Sequence, residues 1–503
     1  MTELLLQIEP NAATPLYRQV YNGLRDVILA GRLKAGDRLP SSRAFADRLG
    51  VGRNTVLEAY SQLLAEGYVV TSAGAGTFVT GDIPDHLLRT TQDEDEGHRT
   101  TELGMHDLSE FGRRIVSLPP APKAAWRRLA PFYPGIPAYD LFPAAVWRKL
   151  TADLWRTPLE SDLLDYGEPQ GYEPLRRAIV EYTGLSRGVS CTPDQVIITG
   201  GSQQALSLAS QLLLDPGDEV WIEDPGYRGA RSAFAAAGAR VVPVPVDAEG
   251  LVVSEGRERA SRPRLAYITP SHQFPLGHTM SISRRLELLD YASTSRMWVI
   301  EDDYDSEFRY SGRPLPALHG LDRAQRVIYM GTFSKVLFPS LRVGYLIVPP
   351  PLVEAFVAAR SGADRHRPTL DQAVLAKFIA DGHFERHLRR MRAAYLTRQK
   401  LLVDRLSARV GDVLEIDASP AGMHLLAWLP AGVSDSHVSA RCAEAGIAAS
   451  PLSYYSIEPP ARGALVLGYT GFSEPAIRYR ARVLADSLRS CLSELSQGAS
   501  PVS

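Results

Sequence analysis

Apolar residues recur at helical spacing at Leu16, Val20, Leu24, Val27 and Ile28. The pattern predicts a helix over Leu16–Ala30, with Pro15 suited to its first turn and Gly31 to its end. A turn-rich link, GRLKAGDRLPS, follows. Ser41 or Ser42 then caps a second helix, SRAFADRLG, which Gly50 stops. After the short turn Gly50-Val51-Gly52, the segment RNTVLEAYSQLLAEG predicts a third helix, with Val56, Leu57, Tyr60, Leu63 and Leu64 facing inward. YVVTSAGAGTFVT alternates as two strands around a glycine-rich tip. Further along, the runs VIIT, VWIED, LAYIT and VIYM are separated by helical periods. This predicts a mostly parallel α/β sheet with loops at the strand ends forming a site. From about Leu370 the pattern becomes helix-rich and then mixed α+β. FERHLRRMRAAYLTRQKLLVDRL reads as a long basic helix whose charges form a solvated or inter-subunit face.

Between these regions the periodicity fails. TTQDEDEGHRTTELG is polar and charged, and LPPAPKAAW is proline-rich and stiff. The division expected is therefore a small module over residues 1–80, a tether over 81–125 and a large body over 126–495. A tether of that length would let the small module dock on a partner subunit.

Bulk properties narrow the partners. A chain of 503 residues holds more than one domain. Its net charge of −2 makes it no polycation, so any nucleic-acid contact must come from a local patch. Cys191, Cys442 and Cys491 lie far apart, with neither metal-ligand spacing nor a disulfide framework, which fits a reducing cytoplasm. No apolar run approaches the roughly 20 residues of a membrane span, and MTELLLQIEP lacks a basic signal-peptide start.

Two short helices joined by a tight turn form a helix-turn-helix, whose second helix enters the major groove N-terminus first. Arg53, Asn54 and Thr55 stand there. Arginine can read guanine and asparagine adenine, and both can hold phosphate. Arg43 heads the preceding helix, and Thr77 ends the AGAGT tip near phosphate or minor groove.

A second chemistry centres on Lys335 in GTFSKVLFPSLR. Pyridoxal phosphate (PLP) needs a lysine for its aldehyde, an aspartate for its pyridinium nitrogen and donors for its phosphate. Met297–Tyr304 reads as a buried strand on which Asp302 and Tyr304 share a face, about 6.6 Å apart. They would meet the ring nitrogen and the phenolic oxygen. Thr332, Ser334 and Arg342 are phosphate donors within reach of Lys335. The backbone N–H groups of Ser202 and Gln203 open a helix after a glycine turn, a place that suits an anion.

The order of TGGSQQAL, EDPGYRG, TPSHQFPLG, EDDYDSEF and GTFSK resembles the fold-type I aminotransferase domain. The text from PLYRQVYNGLRDVILAG to AEGYV is similar to the GntR family. Together they resemble the MocR or GabR regulators, in which a GntR-type winged helix precedes an aminotransferase-like body. The resemblance implies double-stranded operator DNA as one partner. It also implies PLP, alone or joined to an amino compound as an aldimine, as the effector, and a homodimer, with domain-swapped DNA modules as one arrangement. It puts Tyr227 on the pyridine ring and Tyr166 across the dimer at the neighbouring cofactor's phosphate. Phe274 stands where many aminotransferases have an asparagine near the phenolic oxygen, leaving His272 or Gln273 for that role. Val466 in ALVLGYTGF stands where the enzymes carry the arginine for the substrate α-carboxylate, with Arg462 four residues earlier. Regulation is the first expectation, and an active aminotransferase with an appended DNA module the alternative.

Overall fold

The computed structural model describes residues 6, 8–10, 12, 14–72, 75–81, 108–118, 130–156, 161–260, 262–312 and 315–498. The chain divides into two compact units, Met1–Glu102 and Leu103–Ser503.

Among its described residues the first unit has three helices and a hairpin: α1 Leu16–Leu29, α2 Ser42–Leu49, α3 Arg53–Ala65, β1 Val69–Ser72 and β2 Gly76–Val79. Of the two candidate caps for α2, Ser41 is the one used; its Oγ accepts from Ala44 N at 3.3 Å. Gly50 ends that helix in the left-handed conformation. On α3 the inward set is Val56, Ala59, Tyr60 and Leu63. Leu57 and Leu64, expected inside, are 41% and 42% exposed. The reason is the helical period: Val56, Ala59, Tyr60 and Leu63 fall on one stripe, and a residue one step beyond that stripe turns 100° away from it.

In the second unit the main sheet has the strands β3 Val196–Thr199, β4 Glu219–Asp224, β5 Arg240–Asp247, β6 Gly250–Leu251, β7 Pro263–Ile268, β8 Trp298–Asp303, β9 Val327–Thr332 and β10 Gly344–Ile347. Their order is β3-β10-β9-β8-β7-β4-β5-β6. The run from β5 through β4, β7 and β8 to β9 is parallel, and β10 lies antiparallel between β9 and β3. β3, β9 and β10 are buried at every position, as a sheet covered on both faces requires. A second, antiparallel sheet follows: β11 Glu415–Asp417, β12 His424–Trp428, β13 Ser450–Pro451 and β14 Ala464–Gly468, in the order β11-β12-β14-β13.

The basic helix runs from His383 to Val410 and buries one apolar stripe that includes Leu388, Met391, Tyr395, Leu402 and Leu406. Its charges are not all on a free face. Arg398 is buried and bonds Asp140 and the Thr470 carbonyl, each at 2.5 Å. In the stretch expected to be a tether, Glu110–Ser117 is helical, capped by Ser109 Oγ on Gly112 N, and Arg114 Nε donates to the Ala236 carbonyl at 3.1 Å. Residues 82–107 and 119–129 of that region lie outside the described residues. Among the described residues no helix is long and apolar enough to cross a membrane.

Leu63→Ala should cost about 2–4 kcal/mol in the small unit, while Leu57→Ala should cost less than about 1. Hydrogen exchange of the α1–α3 amides measures both. Equal loss of protection in the two variants would contradict the assigned helix face.

Candidate functional site

In the small unit α3 begins at Arg53, so Arg53 and Asn54 are exposed at its N-terminus and Thr55 is half-buried. Arg43, in the first turn of α2, is also exposed. Arg53 Nε lies 3.5 Å from Ser42 Oγ, which ties the start of α3 to the start of α2. Thr77 is half-buried on β2 opposite Thr71, and its carbonyl accepts from Leu39 N at 2.9 Å. The arrangement offers guanidinium and amide donors on one helix start, suited to base edges and phosphates.

In the large unit the chain leaves β9, turns through Lys335 and Arg342 and returns as β10. Gly344 pairs with Thr332 on one side and Thr199 on the other. A Cβ on Gly344 would come within 2.9 Å of Gly201 Cα, so only glycine lets these backbones approach. Lys335 Nζ donates to the Gly135 carbonyl at 3.1 Å. Removal from water pushes its amine below the usual lysine range, against the pull of Asp305 and Asp302.

On β8, alternation separates neighbouring acids. Asp303 receives Arg187 Nε and Tyr329 OH, both at 2.6 Å. Asp302 turns to the other face, where Tyr267 OH donates to its Oδ2 at 2.6 Å. Burial, reinforced by Asp303 and Asp305, pushes Asp302 up to about 7. Its Oδ1 is buried with no hydrogen-bond partner among the described residues. Tyr304 is not on the strand, which ends at Asp303; it lies in the bend beyond. Strand alternation accounts for the face that Asp302 takes, whereas Tyr304 lies past the last strand residue and is not placed by alternation. Tyr304 OH is 3.0 Å from His272 Nδ1, which also meets Asp305 Oδ2 at 3.0 Å. Gln273 turns away, donating to Glu223 and to the Pro225 carbonyl. Of the two candidates for the phenolic-oxygen side, His272 is thus the one beside Tyr304. Tyr227 stands near the Tyr267 and Phe274 rings, at centroid distances of 6.4 Å. Burial pushes its phenol up to about 12.

The helix Ser202–Leu213 starts beside a group of cations. Gly201 holds φ of 105°, and a Cβ there would lie 3.6 Å from Arg342 Nη1. Gln203 spends its side chain on the Gly229 carbonyl, leaving its backbone to the helix start. Thr332 Oγ1 accepts from Ser334 N at 3.2 Å. Arg367, which no sequence motif marked, points at the same corner. A Cβ on Gly200 would lie 3.5 Å from its Nη1, its Nη2 donates to the Arg342 carbonyl at 3.4 Å, and its Nε is buried without a partner among the described residues. Arg360 lies behind, fully buried and paired with Asp364; burial and Arg367 bring its guanidinium down to about 10. Arginines thus outnumber carboxylates here among the described residues, an environment that favours an anion.

Two further expectations are placed differently from the rest. Tyr166 is 74% exposed, with Arg365 over its ring at 5.0 Å and His366 at 5.9 Å. Within one chain it does not join the Lys335 group. Arg462 bonds Glu415 at 2.6 Å and the Leu429 carbonyl at 2.7 Å, so it does not replace the arginine missing at Val466.

The donor set fits pyridoxal phosphate. An amine of lowered pKa suits the aldehyde, and the unpartnered Asp302 Oδ1 suits a pyridinium N–H. The cationic corner at Ser202 suits a phosphate. A helix-turn-helix module and an α/β body with such a lysine define a two-part protein, a DNA reader joined to an aminotransferase-type domain. The family model of bacterial regulatory proteins, gntR family, matches residues 16–79, and that of aminotransferase class I and II matches residues 135–470. The chain is 41% identical to the probable rhizopine catabolism regulatory protein MocR of Rhizobium meliloti, over 99% of this chain and 98% of that protein. It is 30% identical to the pyridoxine biosynthesis transcriptional regulator PdxR of Corynebacterium glutamicum, over 97% and 99%. Among solved structures, the α-aminoadipate aminotransferase LysN of Thermus thermophilus, complexed with N-(5'-phosphopyridoxyl)-L-leucine, superimposes with a TM-score of 0.70 at 30% identity, covering 77% of this chain and 98% of that one. The chain belongs to the MocR-type regulators, GntR-family proteins with an aminotransferase class I and II domain.

Folded Asp302 keeps its proton to about pH 7, whereas an unfolded aspartate loses it near 3.8. The folded state therefore binds more protons across that window and loses stability as pH rises through it. Asp302→Asn should stabilise the cofactor-free body by about 1–3 kcal/mol at pH 8, with the gain shrinking below pH 7 and fading towards pH 4. Melting curves against pH test this, and a gain independent of pH would contradict it. Arg367→Gln should weaken PLP binding by about tenfold or more while leaving pyridoxal, which lacks the phosphate, unchanged. Parallel titrations of the two aldehydes decide it.

Proposed function

We propose that the chain is a PLP-responsive transcription regulator, in which occupancy of the Lys335 site changes affinity for operator DNA. The observation carrying this reading is the pairing of a lysine of lowered pKa with a buried aspartate whose Oδ1 lacks a partner among the described residues, in a chain whose other unit presents Arg53 and Asn54 on a recognition helix. Bound PLP supplies an electrophilic aldehyde that captures a primary amine.

The roles of the protein's own groups follow from their surroundings. Lys335, kept out of water, holds its nitrogen lone pair free at lower pH than a surface lysine does. Asp302, oriented by Tyr267, would accept from a pyridinium N–H and thereby regain a counter-charge. Tyr304, oriented by His272, would donate to the phenolic oxygen. Tyr227 would cover the ring. Arg342, Thr332, Ser334 and the Ser202 and Gln203 amides would hold the phosphate, with Arg367 joining them. Arg43, Arg53, Asn54, Thr55 and Thr77 would contact DNA. The exposed Tyr166, braced by Arg365, supports a homodimer in which it reaches the neighbouring site. A reducing, cytoplasmic setting suits the free Cys191, Cys442 and Cys491.

A ligand shifts DNA affinity only through unequal binding to two states. Gel shifts on DNA upstream of the gene should therefore differ with and without PLP, and Lys335→Ala should abolish the difference. Identical shifts in wild type would refute sensing. Arg53→Ala should weaken specific binding by about 1–3 kcal/mol whatever the state of the PLP site.

A further inference from the structure

We propose that the apolar cluster of β12 and β14 beside the Lys335 residues disfavours an α-carboxylate, so that an amine joined to the cofactor lacks one. The inference rests on the PLP reading above and names the class of co-ligand. Val466 is fully buried on β14 and packs with Leu426 and Tyr455, and with Phe274 and Leu276 from the loop after β7. Phe274 brings this apolar wall to the cofactor residues. Its ring stands nearly perpendicular to those of Tyr304 at 6.0 Å, Tyr455 at 5.0 Å and Tyr227 at 6.4 Å.

Beside the wall stand the Tyr454 and Tyr455 phenols and His424, which is 5.4 Å from Phe274 with Nε2 2.9 Å from the Pro275 carbonyl. Burial and the neighbouring His272 bring its imidazole down to about 3, so it is neutral at physiological pH. The arginines near the wall have contacts of their own, and Arg228 makes its contact with a residue that packs on the wall. Arg462 is held by Glu415 and the Leu429 carbonyl, and Arg228 lies over the Tyr454 ring at 3.8 Å. Arg342 and Arg367 serve the start of the Ser202 helix. A carboxylate pressed against the Val466 and Phe274 side chains would shed its water against apolar groups, without the bidentate arginine that would offset that loss at Val466, a cost that a neutral alkyl or aryl group avoids.

Displacement of Lys335 by such an amine exchanges one amine for another on the same carbon. No oxidation state changes: the incoming nitrogen would give up its two N–H protons, the Lys335 nitrogen would take up two, and Lys335 would leave as the free amine. The experiment titrates the PLP-loaded protein, first shown to have a visible band that Lys335→Ala removes, with matched pairs: 2-phenylethylamine against L-phenylalanine, and isobutylamine against L-valine. The amino acids should leave the band unchanged at concentrations at least about tenfold above those at which the amines alter it. If both members of each pair are silent, no amine of this class joins the cofactor and the proposal fails. An amino acid acting within tenfold of its amine overturns the proposal. Val466→Arg should admit the amino acids, and a folded variant that stays blind to them also counts against it. Should that substitution fail to fold, the wild-type pairs decide. A wild type with no band fails at the earlier step, the PLP reading itself.

Discussion

An amine withdrawn from water beside two carboxylates is the constraint around which the large unit is built. Lys335 Nζ bonds the Gly135 carbonyl, an acceptor without formal charge, while Asp302 and Asp305 act on it from a distance. Burial works against the ammonium form and the carboxylates work for it. The balance leaves a nitrogen that gives up its proton more easily than an exposed lysine does. A carboxylate directly paired with the amine would have removed that property.

The acids stay apart because β8 alternates. Asp303 faces Arg187 and Tyr329, where one of its oxygens takes both donors. Asp302 faces Tyr267 and keeps one oxygen unengaged among the described residues. Asp303 Oδ1 is likewise unpartnered among the described residues, so what separates the two is the charge beside them: Asp303 is paired with the Arg187 guanidinium, and Asp302 has only a phenol donor. In the bend, His272 meets Tyr304 and Asp305 through a single nitrogen.

Much of this was legible in the residues. The stripe of α1, the serine cap and terminal glycine of α2, the parallel sheet, and Lys335, Asp302, Ser202 and Arg342 all carry local signals: a period, a turn residue or a motif. What escaped had no local signal. Leu57 and Leu64 look apolar enough for a core, and only the rotation of α3 exposes them. Arg367 lies 25 residues beyond Arg342 and reaches the same corner through the path of the chain. The helix Glu110–Ser117 sits in polar and proline-rich surroundings that hide its cap. Arg462 was a candidate by proximity in sequence, and its partners across the small sheet exclude it.

The double pairing of Gly344 has a wider meaning. Because β10 is bonded to both β9 and β3, the lysine turn and the glycine corner at Gly200–Gly201 are locked to each other by main-chain register. The span from amine to anion cradle is therefore a backbone dimension, insensitive to exchanges of side chain. The wall at Val466 and Phe274 belongs to other strands and loops and is free of that lock. On the function proposed above, a lineage would revise which small molecule it answers to by altering the wall, while the backbone register between the lysine turn and the glycine corner stays as it is.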